Sequence, residues 1–434
     1  MPSSKKLILV LIDGLTPSMF EAAAESAPTF ALLAENGRYG RAASVFPSLT
    51  PVCVSSIVTG SYPDVHHIPH LVWYHRDERR LVEYGSSFGA IRRAGMSRSI
   101  RDAIFNMNGK HLAPEALTVF ESLEDAGLTP AAVNIPCHRG RTRHRTTIPG
   151  VTRIAYGPKR FFFYNLFESD ATGAPLAVRS RTRGTVDDYA AAVGRWLVTR
   201  DGFDFLAFYL SDYDFLSHAV GPDAAHEGIA RAERALAALV EAAGGADDFL
   251  ERYAVVLCSD HGQTRVDRAA RLQEPLSKVE GIIVTASNRA GMVYRLDGCR
   301  LDSRELAALL DSEPSVDAVA FREGDSAVLR REGEEVRVTD STPLDYPDAS
   351  ARIWAALRNP NAGDLLVSAA PGFEFADLGG RHHAGGGSHG SLVSGDSEVP
   401  ILLVGVEGEA ASITELTPLV LTHFGVAAPV PAHV

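Results

Sequence analysis

The sequence predicts an α/β fold, a three-layer sandwich with a mainly parallel central sheet. The apolar runs of strand length are mostly continuous rather than alternating, as expected of strands that are covered on both faces. Helical patterns lie between these runs, and strands that alternate with helices are typical of a parallel sheet. We therefore expect ligands to bind at the carboxyl ends of the strands.

The predicted elements follow one another along the chain. The predicted strands are Leu7–Ile12, Ala131–Ile135, Phe203–Leu210, Ala254–Cys258, Leu365–Ser368 and Ile401–Val404. The predicted helices are Ala27–Asn36, Pro114–Ala126, Val186–Thr199 and Ala224–Ala243. The first strand ends in Asp13 and Gly14 without the small-residue cleavage site of a signal peptide, so we interpret it as a buried strand.

Two segments depart from this alternation. Residues 291 to 338 read as strand, helix, strand and hairpin, which predicts a small inserted α+β subdomain at 288–345 within one catalytic domain, 1–434. Residues 137 to 164 have no clear period, which is typical of a lid or a substrate-facing loop. Their basic stretch, His138 to Arg145, is either a solvated loop or a site for an anionic group. The aromatic cluster Phe161–Tyr164 favours core packing over stacking on a flat leaving group.

Composition excludes several classes of protein. The 434 residues are 45% hydrophobic and carry a formal net charge of -12, which argues against binding a nucleic-acid polymer or anionic lipid. No uncharged apolar run is long enough to span a membrane. Four scattered cysteines form no CxxC pair, which argues against a disulfide framework or a cysteine zinc site and predicts a cytoplasmic setting. Nothing indicates the oligomeric state.

Candidate metal ligands follow the predicted strands. Taken singly, most have an ordinary explanation, such as a helix cap for the aspartate after the first strand or an exposed i,i+4 pair for the aspartate and histidine four residues apart. The adjacent pair Asp260 and His261, directly after an apolar run, is unusual for plain packing. The candidates are Asp13, Asp214, His218, Asp260, His261 and His389, with Asp212, His382 and His383 as rivals. Carboxylates with imidazoles suit zinc, with manganese or iron as alternatives. Six ligands are enough for two ions, which together can clamp the oxygens of a phosphoryl displacement.

The order of these motifs resembles the alkaline phosphatase superfamily, and within it the type I phosphodiesterase/nucleotide pyrophosphatase group. The quoted stretches are "LILVLIDG", "T-x8-TG", "SDYDFLSHAVGP", "YAVVLCSDHG" and "RHHAGGGSHGSL", and the resemblance spans residues 8 to 404. It implies a two-zinc α/β hydrolase with Thr50 as nucleophile. It places Asp214, His218 and His389 on one zinc. It places Asp13, Asp260 and His261 on the other, together with Thr50.

Three positions depart from the pattern of the group. Ser217 and His67 stand where glycine is usual, and Cys53 stands where an asparagine is usual. A thiol is a weak substitute for an amide donor, so this departure leaves the substrate class open. The sulfatase signature is absent around Thr50, which argues against sulfate esters as substrates.

The predicted reaction is in-line attack by Thr50 on phosphorus, followed by hydrolysis of a phospho-threonine. Since Thr50 precedes Pro51, we predict that it caps a helix whose positive end faces the site. The expected substrate is a small phosphate diester or nucleotide pyrophosphate. The alternatives are a phosphonate hydrolase or phosphomonoesterase on the same site, and, in another class, a non-catalytic nucleotide-binding relative. No GxGxxG follows the first strand, which argues against a dinucleotide-binding enzyme.

Overall fold

The computed structural model describes residues 5–147, 152–169, 172–174, 176, 184–339, 342 and 344–428. In chain order, the strands are β1 (Lys6–Ile12), β2 (Arg38–Ala43), β3 (Val72–His75), β4 (Arg80–Glu83), β5 (Pro130–Val133), β6 (Thr142–Arg145), β7 (Ile154–Gly157), β8 (Arg160–Phe163), β9 (Phe167–Glu168), β10 (Phe205–Leu210), β11 (Tyr253–Cys258), β12 (Thr264–Ala270), β13 (Ile282–Ser287), β14 (Ala290–Arg295), β15 (Val316–Glu323), β16 (Ser326–Arg331), β17 (Glu334–Val338), β18 (Leu365–Ala369), β19 (Gly372–Phe375), β20 (Gly387–Ser388) and β21 (Glu398–Val404).

The α-helices, also in chain order, are α1 (Pro17–Ser26), α2 (Pro28–Glu35), α3 (Thr50–Thr59), α4 (Pro63–His66), α5 (Phe88–Ala94), α6 (Met96–Arg101), α7 (Val119–Asp125), α8 (Val186–Thr199), α9 (Asp212–Val220), α10 (His226–Ala243), α11 (Ala246–Arg252), α12 (Ser303–Asp311), α13 (Ala349–Arg358), α14 (Ser394–Ser397) and α15 (Leu416–His423). A π-helix spans Asp102–His111, and short 3-10 turns span Pro222–Ala224 and Ile413–Glu415. Across the described ranges, no helix combines the length and the apolar character needed to cross a membrane.

The central sheet confirms the predicted fold class. Its strand order is β2-β21-β11-β1-β10-β5-β8-β9. The middle strands β11, β1, β10, β5 and β8 run parallel, whereas β21 is antiparallel to both of its neighbours and β9 is antiparallel to β8. Since parallel strands end at the same edge, the residues that follow β1, β10 and β11 are brought side by side.

The two faces of β1 pack into separate cores, which gives the three layers. Leu9 belongs to a core that includes Ile57 of α3, whereas Val10 belongs to a second core that includes Val193 of α8 and Leu236 of α10. Every residue of β1 from Leu7 onward is buried. This explains why the strand reads as one continuous apolar run rather than as an alternating pattern.

A second sheet stands beside the central one, with strand order β13-β14-β18-β15-β16-β17. Each neighbouring pair in it is antiparallel. It is built from residues 282 to 369 and therefore extends on both sides of the range 288–345. The subdomain with those bounds stays a prediction.

Two predicted strands form but lie outside the parallel part of the central sheet, and one predicted helix is shorter than expected. Leu365–Ser368 forms β18 of the second sheet, because a short buried strand carries no signal of which sheet it joins. Ile401–Val404 lies in β21 and is antiparallel to β11. The helix predicted at Pro114–Ala126 is only α7, because Thr118 and Glu121 form a capping box that starts it late.

A buried ion pair fixes the second sheet to the first. Arg289, in the turn between β13 and β14, contacts Asp396 of α14 at 2.8 Å, and neither side chain is exposed. Asp396 also accepts hydrogen bonds from the backbone N–H and the hydroxyl of Ser391, and its carbonyl accepts from the N–H of Gly262. The pair therefore holds the turn against the loop that follows β11.

We expect Arg289→Met to lower the free energy of unfolding by about 3–5 kcal/mol, because it leaves the Asp396 carboxylate buried without its cation. The matched control is Arg304→Met, since Arg304 pairs with Glu323 and Glu335 at an exposed position and should cost at most about 1 kcal/mol. Urea unfolding of both variants measures the difference. Equal losses would contradict a structural role for the buried pair.

Candidate metal site and nucleophile

Adjacent strands of the central sheet deliver the predicted ligands to one edge. Asp13 follows β1, whereas Asp260 and His261 follow β11. Asp214 and His218 lie on α9, which begins directly after β10. The structure brings these residues together with Thr50 of α3 and His389, which follows β20, as the distances below show.

Two groups of candidate ligand atoms form at this edge, and each is compact enough to hold one metal ion. In the first group, Asp214, His261 and His389 offer atoms that all lie within 4.8 Å of one another. In the second, Asp13, Asp260 and His261 do the same. His261 therefore belongs to both groups, and the two candidate sites are neighbours.

His218 lies beside the first group rather than inside it. Its Nε2 is 3.4 Å from Asp214 Oδ2, and the centres of its ring and that of His389 are 5.2 Å apart. The His389 Nε2 atom is 3.9 Å from Asp214 Oδ1. Asp214 thus has one carboxylate oxygen near each of these histidines.

Each of the three histidines engages its Nδ1 with a backbone carbonyl oxygen. The distances are 2.8 Å from His218 to Gly387, 3.0 Å from His261 to Gly262 and 2.8 Å from His389 to Ser48. An Nδ1–H that donates to a carbonyl fixes the tautomer in which Nε2 carries the free lone pair. The three Nε2 atoms are therefore prepared as ligands on the side that faces the carboxylates.

The second group contains buried acceptors that have no hydrogen-bond partner among the described residues, namely Asp13 Oδ1 and Asp260 Oδ2. The Nε2 atom of His261 lies 3.3 Å from Asp13 Oδ1 and 3.5 Å from Asp260 Oδ2. Unpaired buried carboxylate oxygens that converge on one point are costly unless a cation binds them. The donor set therefore fits a divalent metal ion.

The electrostatics of the site agree with this fit. Burial, together with repulsion from Asp260 and Asp214, raises the pKa of Asp13 well above its usual range. Burial also raises the pKa of Asp260. Burial acts the same way on Asp214, but the nearby His218 outweighs it and lowers the pKa of this carboxyl. A bound cation would offset the repulsion between the buried carboxylates.

The prediction that Thr50 caps the helix is wrong. The helix α3 begins at Thr50, Leu49 takes the cap position and no side chain caps it. The carbonyl of Leu49 accepts the first helical hydrogen bonds, from the N–H groups of Val52 and Cys53. The hydroxyl of Thr50 instead lies 3.2 Å from His261 Nε2. It is therefore available to the candidate metal site at the N-terminus of α3.

Gly14, directly after Asp13, allows the first two strands of the site to approach closely. Its φ is +68°, and a Cβ atom there would lie 2.9 Å from both Asp214 Oδ1 and Gln263 Nε2. Its N–H donates to Asp260 Oδ1 at 3.2 Å. A side chain at this position would be strained and would displace the ligands.

Two departures from the family pattern have local explanations. His67 has a φ of +67°, the left-handed region that favours glycine, so the glycine usual there has a conformational reason. Ser217 is buried and its hydroxyl donates to the Gln263 side chain, whose amide nitrogen donates to Asp214. Ser217 and Gln263 therefore support the orientation of a candidate ligand.

Cys53 does not take part in the site. It is fully buried in α3, its thiol lies 3.2 Å from the Ser44 hydroxyl, and it does not line the cavity at the site. Burial raises the pKa of this thiol well above its usual range, with a further contribution from Asp260. Position 53 therefore provides no donor to the cavity, and the substrate class that this departure leaves open stays open.

Two of the four arginines of the basic stretch form ion pairs with carboxylates of α7. Arg139 pairs with Glu121 at 3.0 Å, and Arg141 pairs with Glu121 and Asp125. None of the residues 138–145 lines the cavity at the site. Arg143 and Arg145 are exposed, and recognition of an anionic group by this stretch stays a prediction. In the aromatic cluster Phe161 is core, whereas Phe163 and Tyr164 line the cavity.

The structure also shows where the alternative ligands lie, namely Asp212, His382 and His383. The carboxylate of Asp212 contacts Arg231 at 3.4 Å and lies outside the cavity lining. His382 is exposed and does not line the cavity. His383 does line it, but its Nδ1 contacts the buried Glu374 at 3.1 Å.

A cavity of about 550 Å³ opens at the candidate ligands. Its wall includes polar residues that the sequence analysis does not single out, among them Tyr209, Asn288 and Arg381. Tyr209 donates its hydroxyl to Asp13 Oδ2, and its position near the end of an otherwise apolar strand is a signal that could have indicated it. Asn288 and Arg381 lie in a turn and a loop, where spacing gives no such signal.

This chain is similar to a known protein family and to several solved structures. A family model described as type I phosphodiesterase / nucleotide pyrophosphatase matches residues 7–392. Among solved structures, murine ectonucleotide pyrophosphatase / phosphodiesterase 5 has 17% identity and a TM-score of 0.65, over 98% of this chain and 96% of that chain. A threonine-to-alanine variant of the murine protein, described as inactive and in complex with AMP, has 16% identity and a TM-score of 0.65 over the same shares of the two chains, 98% and 96%.

A bacterial enzyme is similar to the same extent. Phosphonoacetate hydrolase from Sinorhizobium meliloti 1021, in complex with phosphonoformate, has 19% identity and a TM-score of 0.64, over 97% of this chain and 96% of that chain. A comparison with curated proteins finds no match. At these identities the solved structures establish the fold, whereas the family model covers most of the chain. The chain therefore belongs to the type I phosphodiesterase/nucleotide pyrophosphatase family of the alkaline phosphatase superfamily.

Proposed function

We propose that this hydrolase cleaves phosphate diesters or nucleotide pyrophosphates with two metal ions and a covalent phospho-threonine at Thr50. The observation that carries the proposal is the position of the Thr50 hydroxyl, 3.2 Å from the one histidine that both ligand groups share. Asp214, His218 and His389 would hold one zinc ion, and Asp13, Asp260 and His261 the other. Bound zinc would supply charge that stabilises the Thr50 alkoxide and the phosphoryl oxygens.

The chain itself contributes the nucleophile and its orientation. Thr50 stands at the N-terminus of the ten-residue helix α3, whose positive end favours an alkoxide and an anionic group in front of it. The oxygen of Thr50 attacks phosphorus, a P–O bond to Thr50 forms, and the bond to the leaving oxygen breaks in line. Water then cleaves the phospho-threonine and regenerates the hydroxyl.

The solved relatives support the choice of residue and substrate. The murine variant described as inactive replaces a threonine by alanine and binds AMP. A threonine also stands here beside the candidate metal ligands, next to a cavity large enough for a small-molecule ester. A cytoplasmic location and the choice of zinc over manganese or iron stay predictions.

A substrate panel tests the proposal. The metal-loaded protein is assayed on bis-p-nitrophenyl phosphate, p-nitrophenyl phosphate and phosphonoacetate, before and after treatment with a chelator. We expect the diester to have the highest kcat/KM and the chelator to abolish turnover. A protein that binds no metal and turns over none of the three would instead be the non-catalytic relative.

One observation favours phosphonate hydrolysis as a second candidate. Arg381 lines the cavity, and among the described residues its guanidinium has neither a hydrogen-bond nor an ion-pair partner. It is also the only lysine or arginine on the described cavity wall. A guanidinium on the wall of this cavity suits a substrate with a second anionic group, such as the carboxylate of phosphonoacetate.

We expect Arg381→Ala to raise KM for phosphonoacetate by about 10-fold or more and to leave KM for the singly charged diester within about 2-fold, because only the former loses a charge-assisted hydrogen bond. Arg265→Ala is the matched control, since Arg265 is an exposed arginine outside the cavity lining. Steady-state kinetics on both substrates give the comparison. A KM unchanged on phosphonoacetate would exclude Arg381 as its carboxylate-binding group.

A further inference from the structure

The turn between β13 and β14 carries Asn288 from the second sheet into the candidate active-site cavity. Its side chain is 7% exposed and lines the cavity beside the candidate ligands. The amide nitrogen lies 2.9 Å from Nε2 of His389. Asn288 is thus a buried amide in contact with the very ring atom that is prepared for a metal ion.

The backbone around Asn288 is firmly held. Its carbonyl accepts a hydrogen bond from the N–H of Phe375 at 2.6 Å, and the N–H of Arg289 donates to the carbonyl of His389 at 2.8 Å. The ion pair between Arg289 and Asp396 fixes the same turn. Asn288 has a φ of +55°, a left-handed conformation that asparagine adopts more readily than most residues. The amide is therefore positioned by the fold rather than by chance.

The Asn288 amide is not needed to orient the ring of His389. An imidazole has two nitrogens, and Nδ1 of His389 already donates to the carbonyl of Ser48 at 2.8 Å. The Nε2 lone pair that accepts from Asn288 is the one that a metal ion would take. Once it is taken, the Asn288 N–H needs another acceptor, because an unsatisfied buried donor costs about 1–3 kcal/mol.

A phosphoryl oxygen of the substrate is the acceptor that fits. It enters the same cavity, it is anionic, and it must approach both Thr50 and the metal ligands to react. We infer that the side-chain amide of Asn288 donates a hydrogen bond to a non-bridging oxygen of the phosphoryl group that is transferred to Thr50. The inference rests on the proposed function. Asn288, which comes from the second sheet, would then supply the amide donor that the cysteine at position 53 does not provide.

Two variants test this role without risking the turn. Asn288→Gly removes the amide and suits a positive φ, and Asn288→Asp keeps the shape but replaces the donor with an anionic acceptor. We expect kcat/KM for bis-p-nitrophenyl phosphate to fall about 10- to 100-fold in the glycine variant and further in the aspartate variant. Orthovanadate binding to the metal-loaded protein, measured by calorimetry, should weaken in the same order, with metal content unchanged.

The matched control is Glu332→Gly, since Glu332 also has a positive φ at a hairpin turn of the second sheet but is exposed and outside the cavity. Unchanged kcat/KM and unchanged orthovanadate binding in both variants would overturn the inference. Loss of one metal equivalent would also overturn it, because Asn288 would then be a ligand. If the wild-type protein turns over no phosphate ester, the proposed function fails, whereas the orthovanadate comparison still decides the role of Asn288.

Discussion

Replacing Thr50 by alanine should lower kcat/KM on a phosphate diester by at least about 10³-fold, because it removes the nucleophile and no other group can take over its bond to phosphorus. Among the described residues, the Thr50 hydroxyl makes no capping bond and its one hydrogen-bond partner is His261, so its loss should leave the fold intact. Single-turnover kinetics on the metal-loaded variant measure the effect, and its metal content and melting temperature should match the wild type.

Two controls separate a nucleophile from a merely structural threonine. Thr50→Ser retains a hydroxyl and should keep far more activity than Thr50→Ala. Thr59→Ala removes a buried threonine at the other end of the same helix, whose hydroxyl bonds the carbonyl of Ser55, and should leave turnover near wild type. If Thr50→Ala retains most of its activity on the diester, Thr50 is not the nucleophile.

Replacing His261 by alanine should reduce binding at both metal positions, because His261 belongs to both groups of ligand atoms. The expected result is a metal content well below two ions per chain and turnover reduced by at least about 10³-fold, since both the alkoxide and the phosphoryl oxygens lose their counter-charge. We expect added metal to raise the melting temperature of the wild type, by about 2.7 kcal/mol of stability at 100 times its Kd, and to raise that of the variant much less.

His218→Ala is the variant with which His261→Ala is compared. His218 contacts Asp214 but lies outside both compact groups, so its loss should remove at most one ion and leave the second in place. Metal content by mass spectrometry of the two purified variants decides the matter. Equal metal content in the two variants would contradict a shared central role for His261.

The fold class can be predicted from the sequence because burial of a strand on both faces leaves a pattern in the residues of that strand itself. The residues of β1 from Leu7 onward and all those of β10 and β11 are buried, and a parallel strand between two helix layers reads as a continuous apolar run. The same property hides which sheet a strand joins. Leu365–Ser368 reads like the others, yet it pairs with β14 and β15, and only tertiary contacts decide that pairing.

The candidate ligands are predictable for a related reason, since strand ends meet at one edge of the sheet. The spacing of motifs along the sequence cannot give the direction in which a side chain points, nor which turn or loop adds a residue to the cavity. Cys53 and Thr50 lie three residues apart in α3, yet one faces the core and the other faces His261. Asn288 enters from a turn of the second sheet and Arg381 from a loop, and neither position follows from a periodic pattern.

The central claim is that Thr50 forms a covalent bond to phosphorus, and trapping that intermediate tests it most directly. The metal-loaded protein is mixed with bis-p-nitrophenyl phosphate, quenched in acid within one turnover, digested and analysed by peptide mass spectrometry. We predict that the peptide containing Thr50 gains the mass of the transferred phosphoryl group, located on Thr50, and that Thr50→Ala shows no such gain. Burst release of nitrophenol with unmodified Thr50, or with the phosphoryl group on another residue, would contradict this account.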